Sequence, residues 1–547
     1  MSHRSLWILT AVVAIVALAA APTLAERPHG GAPTALTTFE TADFSGSGVC
    51  AGCHTGLVDD ALTEVSPDRD WRSTMMANAA KDPLWQAKLS SEIDRNPHVQ
   101  SVIEDKCSRC HTPMARVQAV ADGTPVGLLD TGFLDDRNPL HEAAMDGVSC
   151  TLCHQVQPDG LGTPDSFTGG YVIDTSTDVP DRELFGPYPD PVDRTMHTRT
   201  GFLAIEGAQL TDSAHCATCH TLYTPVLDAG GNLVGAEFPE QTTWLEWRHS
   251  GYPVSCQDCH LPVTDGSVVI STRGGRLDGR SPFGQHHFVG GNVAMVGVLA
   301  DHADELGVTA EAEHFEATAS RILAQLEERT ARLTVTPDRS GQRLGLTVEV
   351  ANLAGHKLPT GLPSRRAWLH VRVTDGVGGV LFESGQPLAD GRIEGNDAEE
   401  GDGSTWEPHW QTITSAEQVQ IYEPVMRSVE GNVTWTLLHA FEYAKDNRLL
   451  PDGFDKATAP ADFAVVGDAA VDDDFTGGGD RVVYDLDLAG ASGSVDVAVE
   501  LLFQTLSYPF VSDLARTDTD PVRRFVDMTG GVADPPVVLA SSTIRVD

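Results

Sequence analysis

Cys50-Ala-Gly-Cys53-His54 is the first of five segments in which two cysteines, separated by two residues, are followed directly by a histidine. The other four are Cys107-Ser-Arg-Cys110-His111, Cys150-Thr-Leu-Cys153-His154, Cys216-Ala-Thr-Cys219-His220 and Cys256-Gln-Asp-Cys259-His260. These five motifs use all ten cysteines of the 547-residue chain, and none is left over.

The C-x-x-C-H spacing is typical of covalent haem c attachment. Two thiols one helical turn apart can each add to a haem vinyl group, and the residue after the second cysteine then supplies the proximal imidazole to the iron. A redox dithiol, half of a zinc site or a set of disulfides are the alternatives, but none of them requires a histidine after every pair. The sequence therefore predicts five haems c, attached at the ten cysteines and bound at iron by the five motif histidines.

Each iron either has or lacks a second axial ligand, for which histidine and methionine are the usual residues. The candidates are His141, His197, His249, His287 and His356, with His286, His215, His98 and Met76 in reserve. For each histidine the alternative is a surface or hydrogen-bonded side chain, and for Met76 it is packing against the cofactor.

The N-terminus has the pattern of an export signal. Residues 1–25 combine a weakly basic start, an apolar run from Leu6 to Ala21 and a small-x-small cleavage site, and residues 26–44 form a flexible lead-in. An uncleaved membrane anchor is the alternative. We expect an exported protein of the periplasm or cell surface, with no integral membrane segment after cleavage.

The rest of the chain divides by its periodicity. The motifs fall within residues 45–305, where we expect short helices, long loops and stacked haems in place of a conventional core. Residues 306–332 read as a connecting helix, because apolar residues recur at helical spacing over 309–332. From 333 to 547 the period changes to two, which indicates an antiparallel β-sandwich of seven to nine strands. The predicted fold class is therefore α + β and multidomain.

Two features of the second half bear on function. The loop Gly355-His356-Lys357-Leu358-Pro359-Thr360-Gly361 interrupts the strands, and we expect it to dock on the haem region or to form a rigid turn. Arg365 and Arg366 follow it as candidates for haem propionates, with surface salt bridges as the alternative. The acidic stretches Asn396–Asp402 and Asp472–Asp474 are weak Ca²⁺ candidates, and solvated loops are the favoured interpretation.

The net charge of −41, from 37 basic and 78 acidic residues, bears on partners. Such a chain repels nucleic acid and anionic membrane surfaces. We expect redox partner proteins, basic ones in particular, although a solvated surface suited to solubility explains the charge equally well.

Several segments around the motifs resemble one family. They are Trp71–Trp85, Cys107–Met114, Gly147–Gln155, Cys216–Thr224, Pro239–Trp247 and Cys256–Pro262. Over about residues 45–300 the chain is similar to multihaem c-type cytochromes of the superfamily that includes hydroxylamine oxidoreductase and pentahaem nitrite reductase. The resemblance implies bis-histidine haems in close-packed pairs. No motif here ends in the lysine that marks the catalytic haem of the nitrite reductases.

We therefore expect electron transfer through five haems in a respiratory or extracellular chain, by a carrier rather than an enzyme. The first alternative is a reductase or oxidase of a small nitrogen or sulfur oxyanion at one five-coordinate haem, with His197, His215 or Tyr223 as proton donors. The second is a self-assembling subunit of a haem-bearing surface structure.

Overall fold

The computed structural model describes residues 35–400, 403–488 and 493–547. The predicted signal peptide, the first part of the lead-in and residues 401–402 of the acidic loop lie outside the described residues. Within the described ranges, no helix is both long enough and apolar enough to cross a membrane.

The motif-bearing region consists of short helices, loops and two small sheets. Its helices are α1 Ser47–His54, α2 Pro67–Trp71, α3 Pro83–Arg95, α4 Gln100–His111, α5 Pro113–Ala121, α6 His141–Met145, α7 Cys150–Cys153, α8 Arg194–Thr200, α9 Ser213–His220, α10 Thr243–Ser250 and α11 Cys256–His260. Its strands are β1 Arg182–Gly186 and β2 Phe202–Glu206, which pair in parallel, and β3 Leu222–Leu227 and β4 Leu233–Gln241, which pair antiparallel.

Three helices connect this region to the strands that follow: α12 Val293–Asp301, α13 Ala303–Leu306 and α14 Ala312–Arg329. The predicted connecting helix is therefore present but shorter than 309–332. Gly307, in the left-handed conformation at φ +66°, ends α13. The backbone N–H of Glu311 is capped by Nδ1 of His314 at the start of α14, and the first residue of the next strand, Ala331, follows soon after its end.

The second half is dominated by strands. They are β5 Ala331–Ser340, β6 Arg343–Asn352, β7 Arg366–Asp375, β8 Val380–Ser384, β9 Thr412–Ile413, β10 Ile421–Tyr422, β11 Pro424–Arg427, β12 Glu442–Asp446, β13 Gly479–Asp487, β14 Val495–Gln504 and β15 Val537–Val546. The helices among them are α15 Asp397–Glu400, α16 Tyr508–Leu514 and α17 Asp520–Thr529.

Two sheets make up the sandwich, and the α + β class is confirmed. One has the order β10-β7-β14-β15 with β8 beside β7, and the other has the order β5-β6-β13-β9. Alternate residues of β6 and β13 and of β7 and β14 are buried in one hydrophobic cluster between the sheets, which is what period-two strands predict. The pairing is not wholly antiparallel, because the two-residue strand β9 runs parallel to β13.

The motif region has a partial side-chain core of its own. A buried cluster gathers on α3, α4 and α5 and includes Trp85, Leu89, Ile103, Met114 and Phe133. This differs from the expectation that the haems alone form the core. The helices of the first and last motifs agree better with a core made of haems, because they contribute almost no buried side chains: α1 buries only Ser47 and α11 buries no residue.

The motif region and the strand region pack against each other within one compact unit, Pro33–Asp547. Leu84 and Ala87 of α3 share a buried cluster with Phe510, Val511 and Phe525 of α16 and α17. The domain boundaries at 305 and 333 stay a prediction.

Candidate haem-binding site

The C-x-x-C pair of every motif lies in a short helix, which is what brings the two thiols onto one face. In α1, α4, α9 and α11 the motif histidine is the last helical residue, and in the four-residue helix α7 it is the C-cap. Residues three apart in a helix are neighbours on its surface. The structure thus gives each motif two adjacent thiols and an imidazole at the end of the same turn.

Four of the five motif histidines are oriented by a main-chain carbonyl. Nδ1 of His54 donates to the Ile270 carbonyl at 2.6 Å, and Nδ1 of His111 donates to the Ala79 carbonyl at 3.0 Å. Nδ1 of His154 donates to the Phe185 carbonyl at 2.6 Å, and Nδ1 of His260 donates to the Val289 carbonyl at 2.7 Å. A carbonyl only accepts hydrogen bonds, so Nδ1 carries the proton and Nε2 keeps its lone pair. This is the arrangement that metal-ligating histidines usually have.

The motif histidines are also held neutral, as a ligand must be. Burial lowers the pKa of His111 to about 4, although the hydrogen bond to the Ala79 carbonyl acts in the opposite direction. Burial likewise lowers the pKa of His54, His154 and His260. Trp85 further fixes the His111 ring, since the two rings stack with centroids 4.6 Å apart and planes 7° from parallel.

His220 differs from the other four. Within the described part of the chain, no carbonyl accepts a hydrogen bond from its ring. Burial, followed by the nearby charges of His260, Arg365 and His356, lowers its pKa to about 4. His220 therefore lies where the last two motifs meet residues of the strand region.

Thiols of different motifs meet in pairs. Cys150 lies against Cys50, Cys110 against Cys219, and Cys216 against Cys256, and in each pair the neighbouring thiol raises the pKa of the first-named cysteine more than burial does. Cys153 and Cys219 are also close enough for the second to raise the pKa of the first, after burial, to about 12. The first motif therefore adjoins the third, the third adjoins the fourth, and the fourth adjoins both the second and the fifth.

Among the second-ligand candidates, His286 faces a motif histidine directly. The ring centroids of His154 and His286 are 6.5 Å apart with planes 20° from parallel. Two imidazoles whose nitrogens each lie roughly 2 Å from one metal have centroids roughly 6 to 6.5 Å apart. The neighbouring His287 instead places Nε2 3.8 Å from the buried carboxylate of Asp70.

Two further candidates have the orientation of the motif histidines. Nδ1 of His141 donates to the Phe133 carbonyl at 2.9 Å, and Nδ1 of His356 donates to the Lys357 carbonyl at 2.9 Å. Nε2 is left with its lone pair in both. His356 is also close enough to His220 and His260 for its charge to lower the pKa of each.

The remaining candidates have mixed surroundings. Nε2 of His197 and Nδ1 of His215 are buried without a hydrogen-bond partner among the described residues. Nε2 of His249 meets the Asp455 carbonyl at 2.9 Å and Nε2 of His98 meets the Gly231 carbonyl at 2.7 Å, so only Nδ1 of these two can ligate. Met76 is half-buried, and its main chain accepts from Val148 at 3.0 Å.

The loop carrying His356 is anchored on the motif region by buried charges. Lys357 pairs with Asp446 at 2.6 Å, and Arg448 pairs with Glu246 of α10 at 3.0 Å and with Asp446 at 2.7 Å. The side chains of all four are at most 4% exposed. Glu246 also accepts from the Lys357 backbone at 3.1 Å. Two cations thus balance two carboxylates at the base of this loop.

The two arginines after this loop have different surroundings. Arg366 is buried within the strand region, where it pairs with Glu399 and donates to Gln504 at 2.8 Å. Arg365 donates to the Thr360 carbonyl at 2.6 Å and to Asn292 at 2.7 Å. Only Arg365 therefore faces the motif region.

A buried His409–Asp472–Asp480 cluster lies in the strand region and contains one residue of the weak Ca²⁺ candidate Asp472–Asp474. Nδ1 of His409 accepts from the side-chain amides of Gln420 at 2.8 Å and Asn447 at 3.1 Å. Nε2 therefore carries the proton and donates to Asp472 at 3.1 Å. A protonated nitrogen does not ligate, and Ca²⁺ takes six to eight oxygen ligands. This donor set does not fit Ca²⁺.

A cavity of about 210 Å³ adjoins the first motif, and Cys53, Arg199 and Arg273 are among its lining residues. Nε of Arg273 donates to the Gly52 carbonyl at 2.8 Å. Both guanidinium groups are exposed. This is a locally basic opening on a strongly acidic protein.

Comparison with known proteins gives one similar structure. No protein-family model matches the chain, and no curated protein sequence matches it. The crystal structure of a penta-heme cytochrome c552 from Thermochromatium tepidum is similar at a TM-score of 0.49 and 18% identity, over 91% of this chain and 98% of that one.

Proposed function

We propose that this protein is an exported electron-transfer cytochrome with five covalently attached haems c. The observation that carries the proposal is the orientation of the motif histidines. In four of five, a carbonyl fixes the proton on Nδ1 and leaves Nε2 for a metal. The thiols adjoin those imidazoles on the same helical turn, so the donor set fits haem c.

When bound, the five haems would supply one-electron chemistry at iron. The chain's own residues attach the cofactors, hold the imidazoles neutral and set the distances between sites. A disulfide protein is the competing interpretation of the three facing thiol pairs. It would leave four cysteines unused and gives no reason for the oriented histidines.

The thiol contacts support a continuous and branched order of the sites. The order is first, third, fourth and fifth motif, with the second motif joined at the fourth. Each cysteine would be bonded to a haem vinyl group, so facing thiols would place the attachment points of neighbouring haems close together. The fourth motif is the branch point of this proposed path.

For the second axial ligands we propose His286 opposite His154, on the ring separation of 6.5 Å. His356, from the loop anchored on Glu246, is proposed for the fourth or fifth site, and His141 has the matching orientation. His197 and His249 complete the set of candidates. This supply of histidines supports electron transfer through six-coordinate haems, as expected for the multihaem superfamily that the sequence resembles.

Location and partners are part of the same proposal. Haem c attachment and the N-terminal signal pattern support export to the periplasm or cell surface. The charge of −41 favours basic redox partners and disfavours nucleic acid.

The test is expression of the full chain in a host that attaches haem c. We expect a Soret band, a mass increase of five haems and no thiol that reacts with iodoacetamide after denaturation. A colourless product, or one in which reduction releases reactive thiols, would contradict the proposal. Reduction by dithionite and reoxidation by a soluble acceptor should then involve all five haems.

A second candidate function rests on the basic cavity beside Cys53. It would admit a small oxyanion to the first haem if that haem were five-coordinate. A high-spin signal that shifts with nitrite, hydroxylamine or azide, together with turnover, would favour this enzyme over the carrier. We expect neither.

A further inference from the structure

Arg365 is a half-buried cation with no carboxylate partner among the described residues. Its two Nη atoms donate to the neutral oxygens of Thr360 and Asn292, and its Nε is buried with no hydrogen-bond partner among the described residues. Within those residues no carboxylate lies within 4.0 Å of the guanidinium. Removing a charged group from water without a counter-charge is costly, so a guanidinium with a buried and unpartnered Nε favours a nearby anion.

Asp534 is the carboxylate whose charge acts on Arg365, but it does not provide the anion that the guanidinium lacks. Asp534 accepts hydrogen bonds from the backbone of Thr505 at 3.1 Å and of Leu506 at 2.8 Å. Its charge reaches Arg365 only at a distance, and burial lowers the pKa of Arg365 to about 10 in spite of it. The missing anion is therefore not supplied by this neighbour.

The adjacent arginine shows what a fully partnered guanidinium looks like here. Arg366 uses Nη1 for Glu399, Nε for Gln504 at 2.8 Å and Nη2 for the Gly391 carbonyl at 2.9 Å. Arg365 precedes β7 and takes no part in that network, since its Nη atoms donate to Thr360 and Asn292 instead. Arg365 and Arg366 carry the same charge, but only Arg366 has a carboxylate partner among the described residues.

Arg365 lies beside the fourth motif, because Gly361, against which its Nη1 packs, is also next to Gln241, and Gln241 pairs in register with Leu222, two residues after His220. It is near enough to His220 to lower the pKa of that histidine, after burial and His260. Asn292, which accepts a hydrogen bond from Arg365, lies three residues after Val289. The Val289 carbonyl is the group that orients His260. Gly361 makes room for the guanidinium, since a Cβ there would lie 3.0 Å from Nη1.

We propose that Arg365 binds a propionate of the haem attached at Cys216 and Cys219, and that its charge raises the reduction potential of that haem. The inference rests on the proposed function. A propionate is the anion that haem c brings to its own site, and an arginine is suited to bind a carboxylate through two N–H groups. A fixed cation stabilises the reduced haem, which carries one positive charge fewer.

The test compares R365Q with R372Q in the five-haem protein. Arg372 lies on β7, is 47% exposed and pairs with Glu383 of β8, so R372Q removes the same charge from within the strand region. In a spectroelectrochemical titration, we expect R365Q to shift the reduction equilibrium of one haem about tenfold towards the oxidised form. One of the five midpoint potentials should therefore fall by about 59 mV. R372Q should leave all five unchanged.

A second measurement separates propionate binding from a general structural effect. The haem propionate bending mode in the resonance Raman spectrum should shift in R365Q and not in R372Q. Unchanged potentials and an unchanged mode in R365Q with five haems would overturn the inference and leave the proposed function standing. If R365Q does not mature, R365K provides the same test. Lysine keeps the charge but loses the paired N–H donors, so the propionate mode should shift while the midpoint potential changes little.

Discussion

His154 and His286 face each other with ring centroids 6.5 Å apart and planes 20° from parallel, although they are 132 positions apart in the chain. The adjacent His287 has its Nε2 beside Asp70 instead. Two consecutive histidines therefore have different surroundings, and sequence alone gives no way to choose between them.

H286A should convert one of the five haems to a high-spin form, because the third motif would lose the imidazole opposite His154. H287A is the matched control, with the same residue type one position away, and should leave all haems low-spin. Low-temperature electron paramagnetic resonance of the oxidised protein is the measurement. A high-spin signal in H287A and none in H286A would reverse the assignment.

The buried charges under the His356 loop should be strongly coupled in stability. K357M leaves Glu246 and Asp446 with only Arg448 between them, and breaking a buried pair in this way costs about 3–5 kcal/mol. The double variant K357M/D446N restores the balance of charge around Arg448. Thermal unfolding should therefore rank wild type first, the double variant second and K357M last. A K357M protein as stable as wild type would contradict the network.

Asp446 gives this network a dependence on acid. Burial alone would raise its pKa, but Arg448 and Lys357 outweigh burial and lower it from 3.8 to about 2. Its contribution to folding is therefore present above about pH 4 and is lost as pH falls towards 2. Unfolding midpoints measured between pH 5 and 2 should fall less steeply in K357M/D446N than in wild type.

Asp480 should give the folding stability the opposite dependence on pH. Burial raises its pKa from 3.8 to about 7, with Asp472 and Asp474 adding to the effect. A carboxyl with a raised pKa destabilises the fold as pH rises from about 4 to 7, because the folded state must then bear a buried charge. We expect D480N to be relatively more stable than wild type at pH 8 than at pH 5, by about 3 kcal/mol, because roughly two units of the pKa shift lie between pH 5 and 7.

The control for that measurement is D485N, which lies on the same strand with an exposed carboxylate paired with Arg343. D485N should follow the wild-type pH dependence of urea unfolding. Parallel pH profiles for wild type and D480N would show that Asp480 is ionised in the folded state throughout this range.

The charge of −41 should govern the rate of electron exchange. At low ionic strength, stopped-flow oxidation should be faster with a cationic metal complex than with an anionic one of similar driving force. The difference should shrink as salt approaches about 1 M, where the Debye length is about 3 Å. Equal rates at low salt would mean that the exchanging haem edge is shielded from the net charge.

The sequence by itself determined the features that depend on neighbouring residues. The C-x-x-C-H spacing defined the five sites, since two thiols and an imidazole within five residues are brought together by a single helical turn. The change of period near residue 333 likewise predicted the two-sheet sandwich, because burial of alternate residues is a property of each strand. The short strand β9, whose two residues show no period, is the one described strand of the sandwich that pairs in parallel.

The tertiary structure decided everything that joins distant parts of the chain. The carbonyls that orient the motif histidines lie 29 to 216 positions away and belong to residues as unremarkable as Ala79 and Ile270, because any residue type offers a carbonyl. The same holds for the facing thiols, for His286 opposite His154, and for Arg365 rather than Arg366 at the fourth motif. Such relationships arise from how elements pack, and packing brings together residues that no local spacing connects.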